Sequence, residues 1–421
     1  MESIKASELI SDNYLRYGRY VNVGERATVG IDGLKAVERR MLLSVRDVAN
    51  TKFQRSSLVV GDCLGRFHPH GDAYSSLVKL VNEGFVIGHG NFGDHLSPPA
   101  AMRYTSVKAN STFNEAVFRF SDFAPTRESE FGVIEPLRLP VPVPLCLASS
   151  GSMGIGVGLS MNIPAFSPES LYAAMKADDP SLLKAPKGLN IVRADYKRLW
   201  ESGDGAVQYG MRVYQHKSEA DENRTVSVIE GRPNIFIPNV ERIFQDELED
   251  ELVYIRDESV NEFRVVISRV KGIKKINDEH VHEKAKQAAA KMVFSRIFIT
   301  DGECARKVGL RWWLNTCWEQ YKDSFYAYQK DRIEKLEYRI HLYELIPKVY
   351  PLLIKDTPTK AIAGALNERM ETIKDIEAKP LRLLRKRDFD SEITGLRGDV
   401  RTVKKLTPEE LGEKFVETLG E

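Results

Sequence analysis

The sequence predicts an α+β fold that is mostly helical, and two kinds of hydrophobic spacing carry this prediction. Near the N-terminus, and again from about residue 283, apolar residues recur every three or four positions, which is the spacing of one helix face. In the middle of the chain, three segments alternate apolar and polar residues and are rich in β-branched side chains, as strands are. These segments are 206–214, 225–230 and 263–268.

The first helix is predicted over residues 34–48, with Asp32 at the position of an N-cap. A second helix is expected to start at Asp72. Bases lie off the apolar face of the first helix, so two short helices with basic outer faces suit a helix-turn-helix-like module. A solvated helix face explains the same pattern without any ligand.

Two later stretches, 326–343 and 393–403, place apolar residues in a heptad a/d register. About 40 residues of helical pattern separate them. This arrangement predicts an antiparallel coiled coil that ends in a small globule. Pro347 and Pro351 are expected to break the first stretch, and Gly395 and Gly398 weaken the second.

The charge balance argues against a chain that is uniformly basic or acidic. The 421 residues include 61 Lys and Arg and 60 Asp and Glu, for a formal net charge of +1. The charge is nevertheless segregated, with a basic segment at 33–66, an acidic segment at 240–262 and a basic segment at 379–387. The neutral total therefore does not exclude a local basic surface for a polyanion.

The four cysteines are too sparse for a disulfide framework, so reduced thiols and a cytoplasmic location are expected. The N-terminus lacks the pattern of a secretory signal. Residues 139–168 carry no charge, but their prolines and their Ser/Gly cluster indicate a buried, turn-rich segment rather than a membrane helix.

Three short patterns suggest chemistry only weakly. The Gly154-Ile-Gly156-Val-Gly158 run lacks the spacing and the βαβ context of a dinucleotide loop. Cys63, His68 and His70 have no fourth partner at zinc-site spacing. Tyr104 follows Arg103, which could supply charge to a phosphate and a developing oxyanion, although residue type alone favours an ordinary half-buried tyrosine.

Five ordered strings change this balance: GIDGLKAVERR (30–40), VVGDCLGRFHPHGDA (59–73), GHGNFGD (88–94), AAMRYT (100–105) and SSGSMGIGVGLSMNIP (149–164). Together they resemble the breakage-reunion subunit of type IIA DNA topoisomerases, as found in DNA gyrase. The segment IRDESVNEFRVVIS (255–268) looks like the family's segment that closes the tower domain. In extent, the chain is similar to the medium subunits of T4-like bacteriophage enzymes.

The resemblance implies roles for individual residues. Tyr104 would attack a DNA phosphorus and form a 5′-phosphotyrosyl ester, with Arg103 on the scissile phosphate, Arg26 in acid–base or phosphate work and His70 nearby. Ile163 would be the wedge that intercalates and bends DNA. Six further residues would bind the DNA backbone or shape its loops: Lys35, Arg39, Arg40, His68, Gly71 and Asn91.

The resemblance also implies four regions. They are an N-terminal arm (1–25), a winged-helix, CAP-like DNA-cleavage domain (26–150), an α/β tower (151–270), and a helical connector with a coiled coil and an exit-gate dimerisation globule (271–421). Mg²⁺ and ATP would be bound by a partner subunit with Toprim and ATPase domains, in an assembly of two copies of each chain.

The function expected from the resemblance is ATP-dependent passage of one duplex through a transient break in another, which relaxes or decatenates DNA. Two alternatives remain: a catalytically inactive winged-helix protein that shapes DNA, and a gyrase-like subunit that introduces supercoils.

Overall fold

The computed structural model describes residues 6–25, 27–68, 70–71, 73–93, 97–129, 131–218, 221–231, 237–260, 263–379 and 389–420. The chain divides into two compact units. Unit 1 contains residues 1–321 and 412–421, and unit 2 contains residues 322–411.

Unit 1 begins with helices and a small sheet. Its helices are α1 (Ala6–Arg19), a π-helical turn (Tyr20–Glu25), α2 (Ala36–Val48), α3 (Ser56–Arg66), α4 (Tyr74–Asn82) and α5 (Ser111–Phe118). Its strands are β1 (Val29–Gly30), β2 (Gln54–Arg55), β3 (Val86–His89), β4 (Ser106–Ala109), β5 (Thr126–Glu128) and β6 (Ile134–Pro136). The order β2-β4-β3 forms an antiparallel sheet beside α2, α3 and α4.

The predicted helix at 34–48 is confirmed from Ala36, but its cap is different. Lys35 occupies the N-cap position, and the Glu38 carboxylate accepts a hydrogen bond from the Lys35 backbone N–H at 2.8 Å. Asp32 is not a cap, because it is buried and its carboxylate binds Arg39. Helix α3 was not predicted, and α4 begins at Tyr74.

The middle of the chain folds into two antiparallel sheets. A five-stranded sheet has the order β7-β8-β15-β10-β9, and a four-stranded sheet has the order β11-β12-β14-β13. The five strands are β7 (Ser152–Ile155), β8 (Ser160–Ile163), β9 (Asn190–Ala194), β10 (Asp204–Gly210) and β15 (Ala290–Arg296). The four strands are β11 (Arg212–Ser218), β12 (Asp221–Gly231), β13 (Val253–Asp257) and β14 (Phe263–Arg269).

The sheets confirm the strands expected at 225–230 and 263–268, and they divide the one expected at 206–214. That segment changes sheet at Met211, where β10 ends and β11 begins. Strand β10 pairs with β15 along seven residues, so the five-stranded sheet includes a strand that lies beyond residue 270. Strand β15 also interrupts the helical pattern expected from about residue 283.

Helices cover these sheets, and a short pair of strands follows them. The helices are α6 (Pro168–Ala177), α7 (Tyr196–Ser202), α8 (Ile237–Ile243), α9 (Gln245–Glu249) and α10 (Asp278–Ala288). The strands are β16 (Phe298–Thr300), which is parallel to β1, and β17 (Ala305–Lys307).

Unit 2 is helical, and its two main helices run antiparallel. Helix α11 (Leu310–Leu353) begins in unit 1 and continues into unit 2. It is followed by α12 (Thr359–Leu366), α13 (Met370–Glu377), α14 (Phe389–Lys405) and α15 (Pro408–Gly420). The residues of α15 from Gly412 onward belong to unit 1. Ion pairs Glu337–Lys404 and Glu344–Arg397 show the opposite directions of α11 and α14. A core that includes Leu336, Ile373, Ile376, Ile393 and Leu396 joins the helices.

Most of the heptad residues are buried in this core or pack against it, namely Leu336, Ile340, Tyr343, Ile393, Leu396, Val400 and Val403. Tyr326 is 54% exposed, so it does not continue the buried face. Pro347 and Pro351 lie inside α11 and do not end it. The basic segment 379–387 lies outside the described residues except for Lys379.

The uncharged segment 139–168 is mostly buried, as expected, although its hairpin β7–β8 exposes two apolar side chains. All four cysteines are free, and only Cys304 is exposed. Among the described residues, no helix combines the length and the apolar character that crossing a membrane requires.

The glycine run at 154–158 is explained by a close approach of two backbones. A Cβ on Gly154 would lie 2.0 Å from the Ala27 carbonyl oxygen, and one on Gly156 would lie 2.1 Å from the Asn22 Oδ1. The N-terminal segment therefore passes directly over the hairpin, and the glycines serve packing rather than phosphate binding.

We predict that Gly154→Ala lowers the free energy of unfolding by about 1–3 kcal/mol, because its methyl group meets a backbone oxygen that has no freedom to rotate away. Gly61→Ala is the matched control. Gly61 lies within α3 with open space at its Cβ, so the same change should stabilise by about 0.5–1 kcal/mol. Denaturant unfolding measures both, and equal effects would contradict the packing argument.

Candidate functional site

Tyr104 stands at the end of an irregular loop, directly before Thr105 and strand β4. Its side chain is 69% exposed, whereas the next residue, Thr105, is 1% exposed. The Tyr104 backbone N–H donates to the Ala101 carbonyl at 2.8 Å, which closes a tight turn. A phenol presented in this way can be reached by a large substrate.

The loop is anchored on its C-terminal side by a buried hydroxyl network. The Thr105 Oγ1 donates to the Ser56 Oγ at 2.8 Å, and the Ser56 backbone N–H donates to the Thr105 carbonyl at 3.0 Å. The Tyr74 hydroxyl donates to the Ala100 carbonyl at 2.8 Å and lies 3.0 Å from the Thr105 Oγ1. Helices α3 and α4 thus hold the backbone on either side of Tyr104.

The GHGNFG segment supports the loop from the other side. Gly90 has φ of +103°, and a Cβ there would lie 3.1 Å from the Tyr104 carbonyl oxygen. The Asn91 carbonyl accepts from the Ala100 N–H at 3.0 Å, while its side chain bonds Gly93 and Pro98. Asn91 therefore shapes this loop in the structure.

Arg103 lies against Tyr104, as expected from their adjacency. The Arg103 guanidinium carbon is 4.6 Å from the centre of the Tyr104 ring, and both side chains are exposed. A cation in this position stabilises negative charge on the phenolic oxygen or on a phosphate brought to it.

A second cluster surrounds Glu135 on β6. Arg40 binds its carboxylate in a bidentate manner, with both N···O distances at 2.9 Å, and Arg127 binds it at 2.8 Å. Burial alone would raise the pKa of Glu135, but the hydrogen bonds and charges of the two arginines hold that pKa below its ordinary value.

The two histidines of the HPHGD string extend this cluster. The His68 Nδ1 lies 3.4 Å from the Arg40 Nη1, and burial together with the Arg40 charge lowers the pKa of His68 to about 4. The rings of His68 and His70 are 5.2 Å apart, edge to face. The His70 Nε2 lies 2.6 Å from the hydroxyl of Tyr20, a residue that the sequence did not single out.

Of the two roles expected for Arg39 and Arg40, contact with the DNA backbone does not fit, because both residues are 5% exposed and bound to carboxylates. The Arg39 guanidinium makes two hydrogen bonds to Asp32, at 2.7 and 2.8 Å. If Arg39 turned toward DNA, it would leave the buried Asp32 carboxylate without its cationic partner, which is strongly unfavourable. If Arg40 did so, the buried Glu135 carboxylate would lose its bidentate partner and keep only Arg127. Their role is to hold the fold around the loops.

Lys35 links the N-terminus of α2 to the hairpin β7–β8. Its Nζ donates to the Met153 carbonyl at 2.6 Å, and burial lowers its pKa. Gly71 is exposed, with φ of +24°, in a loop whose neighbouring residues are partly outside the described set. Arg26 also lies outside the described residues.

The wedge assigned to Ile163 is wrong in this structure, because Ile163 is only 2% exposed. The exposed apolar side chains of the same hairpin are Met153 and Ile155, at 71% and 81%. Alternation along β7 places Met153 and Ile155 on the exposed face, whereas Ile163 of β8 pairs with the buried Ser152 and shares its face. A better signal in the sequence is the GIGVG run, in which glycines flank the apolar side chains of Ile155 and Val157.

The zinc alternative receives no support from the geometry. Cys63 lies in α3 with its side chain fully buried. Within the part of the chain that the structure describes, no three His, Cys, Asp or Glu side chains are grouped as metal ligands.

Comparison with known proteins identifies the family. The model of the DNA gyrase/topoisomerase IV family, built on the A subunits of these enzymes, matches residues 28–419. The chain belongs to this family. It is therefore similar to the A subunits of type IIA topoisomerases over nearly its whole length.

Individual relatives agree with the family match. The chain is 26% identical over 410 residues to the A subunit of DNA topoisomerase 4 from Staphylococcus aureus strain NCTC 8325 / PS 47, covering 88% of this chain and 50% of the relative. It is 25% identical over 408 residues, with the same coverage, to the protein of that name from strain MRSA252. The chain thus spans about half the length of the curated relatives it matches.

The lowered pKa of His68 predicts a pH dependence of stability. Between pH 6.5 and 4, the unfolded chain binds a proton on His68 that the folded chain does not, so the free energy of unfolding falls as the pH decreases through this range. In the middle of this range, His68 lowers the free energy of unfolding by up to about 1.4 kcal/mol for each pH unit of acidification.

Denaturant unfolding of wild type and His68→Asn across this range measures the contribution. Asparagine keeps an acceptor for Arg40 but does not titrate, so the variant should lose less stability toward pH 4. Parallel curves for the two proteins would show that His68 titrates normally in the folded chain.

Proposed function

We propose that this chain is the DNA cleavage–reunion subunit of an ATP-dependent type II topoisomerase. The observation that carries the proposal is the exposed Tyr104 phenol, held beside the Arg103 guanidinium on a loop that buried hydrogen bonds fix on both sides. Membership of the DNA gyrase/topoisomerase IV A-subunit family supports DNA as the substrate of this tyrosine.

In the proposed step, the Tyr104 oxygen attacks a backbone phosphorus of duplex DNA. The new Tyr–O–P bond forms as the bond from phosphorus to the 3′ oxygen breaks, and the proton lost by the phenol is balanced by one gained at the 3′ hydroxyl. The phosphodiester is exchanged and not hydrolysed, so the reverse step reseals the strand without an energy source. Arg103 would stabilise the negative charge that develops on the phosphate.

We propose that Ile155, in place of Ile163, is the wedge that enters the base stack. It projects 81% exposed from the β7–β8 hairpin, and Lys35 fixes the neighbouring Met153 carbonyl. Inserting an apolar side chain costs a few kcal/mol of unstacking, which the additional contacts of bent DNA offset. His70 would act in the cleavage centre, with His68, Gly71 and Asn91 shaping the loops, and Arg26 keeps its proposed role.

The finer architecture follows the same proposal. Helices α2–α4 with the β2-β4-β3 sheet would be the winged-helix domain, and the two larger sheets would belong to the tower. Unit 2 would be the exit gate where two copies of this chain meet. The likeness to T4-like phage subunits and a cytoplasmic location stay predictions from the sequence.

A partner subunit is proposed to bind both Mg²⁺ and ATP, in an assembly of two copies of each chain. The Glu135 carboxylate, in the cluster that contains Arg40 and His68, does not fit a metal site by itself, because two arginines already bind it. No step of the chemistry above is therefore assigned to a metal held by this chain.

We predict that a denaturant quench traps a covalent protein–DNA adduct with wild type in the presence of the partner subunit and Mg²⁺ or Ca²⁺. Tyr104→Phe removes the nucleophilic oxygen and should abolish the adduct while leaving DNA binding within about twofold. Tyr254→Phe is the matched control, since Tyr254 is similarly exposed, at 62%, in strand β13. An adduct that survives in Tyr104→Phe would assign the nucleophile elsewhere.

Two alternatives give different outcomes in the same system. An architectural DNA-binding protein would bend DNA without forming any adduct in wild type. For the active pair, we predict ATP-dependent relaxation and decatenation of plasmids. Net negative supercoiling of a relaxed circle would instead favour the gyrase-like alternative.

A further inference from the structure

The π-helical turn Tyr20–Glu25 contacts two parts of the proposed DNA-cleavage machinery at once. Tyr20 reaches His70 in the HPHGD loop, and Asn22 reaches Val157 at the tip of the β7–β8 hairpin. These two side chains are separated by one residue along a single turn, so the turn joins the loop and the hairpin directly.

The contact at Asn22 uses both ends of its side-chain amide. Its Nδ2 donates to the Val157 carbonyl at 2.9 Å, and its Oδ1 accepts from the Val157 N–H, also at 2.9 Å. A pair of hydrogen bonds to one residue's backbone fixes both the position and the direction of the hairpin tip. The absence of a side chain at Gly156 permits the contact, because a Cβ there would lie 2.1 Å from the Asn22 Oδ1.

The contact at Tyr20 fixes the orientation of an imidazole ring. The Tyr20 hydroxyl lies 2.6 Å from the His70 Nε2, and the two rings meet edge to face with centres 5.7 Å apart. His68 also contacts the His70 ring, and the Arg40–Glu135 pair holds His68. The imidazole of His70 therefore contacts both a rigid buried cluster and the N-terminal turn.

Burial does not explain why a tyrosine occupies position 20. Its side chain is 41% exposed, whereas the next residue, Val21, is buried. A hydroxyl that could be solvated instead lies at hydrogen-bonding distance from a histidine 50 residues away. The π-helical form of the turn is itself uncommon and recurs at functional sites.

We propose that Tyr20 and Asn22 are positioning residues that couple insertion of the Ile155 wedge to the orientation of His70. Val157 is two residues from Ile155, so a displacement of the wedge moves the backbone that Asn22 holds. The turn transmits this displacement to Tyr20 and hence to the His70 ring. DNA that is correctly bent would then be cleaved faster than DNA that is only bound. This inference rests on the proposed function.

The first test isolates the action of Tyr20 through His70. Single-turnover cleavage of a labelled duplex is measured with the chain, its partner subunit and Mg²⁺. Tyr20→Phe should lower the cleavage rate constant about fivefold, as for loss of one hydrogen bond, and leave the DNA dissociation constant unchanged. Tyr17→Phe, an exposed tyrosine on the preceding helix, is the control and should change neither quantity.

A double-mutant cycle shows whether the effect passes through His70. In a His70→Ala background, Tyr20→Phe should change the rate by less than about 1.5-fold, because the imidazole that the Tyr20 hydroxyl contacts is gone. Independent, multiplying effects would overturn the positioning role of Tyr20.

A second cycle tests the connection to the wedge. With Asn22 present, the effects of Ile155→Ala and Tyr20→Phe on the cleavage rate constant should not multiply. This coupling should disappear in a chain that also carries Asn22→Ala. Multiplying effects with Asn22 present, or coupling that survives Asn22→Ala, would overturn the link. If thermal unfolding shows that the Asn22→Ala variant is not folded, Asn22→Asp takes its place in the cycle. Aspartate keeps the size and the acceptor of the side chain but loses its N–H donor.

The outcomes separate the two proposals. If wild type forms no Tyr104-dependent adduct, the proposed function fails. If it forms the adduct normally but neither cycle shows coupling, only the present inference fails.

Discussion

The buried carboxylate of Asp32 organises the part of the fold on which the candidate site depends. One oxygen accepts from the Leu34 N–H at 3.1 Å, the other from the Leu139 N–H at 2.8 Å, and both bind Arg39. Its backbone carbonyl accepts from the Leu145 N–H at 2.9 Å. Asp32 thus joins the turn before α2, the helix itself and the chain that leads to the hairpin. Removing the charge of Asp32 or of Arg39 would leave the other charge buried without a partner.

This arrangement changes what the basic residues of segment 33–66 can contribute to DNA binding. Arg39, Arg40, Arg46 and Arg66 all pair with carboxylates, and the first two are buried. The prediction that these charges face DNA counted them as available, whereas the fold already uses them. In the proposed function, exposed bases such as Lys52, Arg55 and Arg103 would supply the affinity for DNA, and the buried Arg39 and Arg40 would not.

The sequence predicted what depends on local periodicity and on ordered motifs, and it missed what depends on distant partners. The α2 helix, strands β12 and β14, and the antiparallel pairing of the late helices follow from spacing. The pairing of Arg40 with Glu135 joins residues 95 positions apart, so no local pattern reveals it. Ile163 and Ile155 are both apolar hairpin residues, and only strand register decides which one is buried. Tyr20 carries no motif, since its significance is a contact with His70.

Helix α11 keeps its helical path through Pro347 and Pro351, and their spacing has a mechanical consequence. Neither residue can donate an N–H, so the carbonyls of Tyr343 and Pro347 receive no amide hydrogen from the residue four positions on. Four residues correspond to about 40° around the helix axis, so both gaps lie on nearly the same side. The helix there is softer to bending in one plane than in any other, and unit 2 is built on a rod with a preferred direction of flexure.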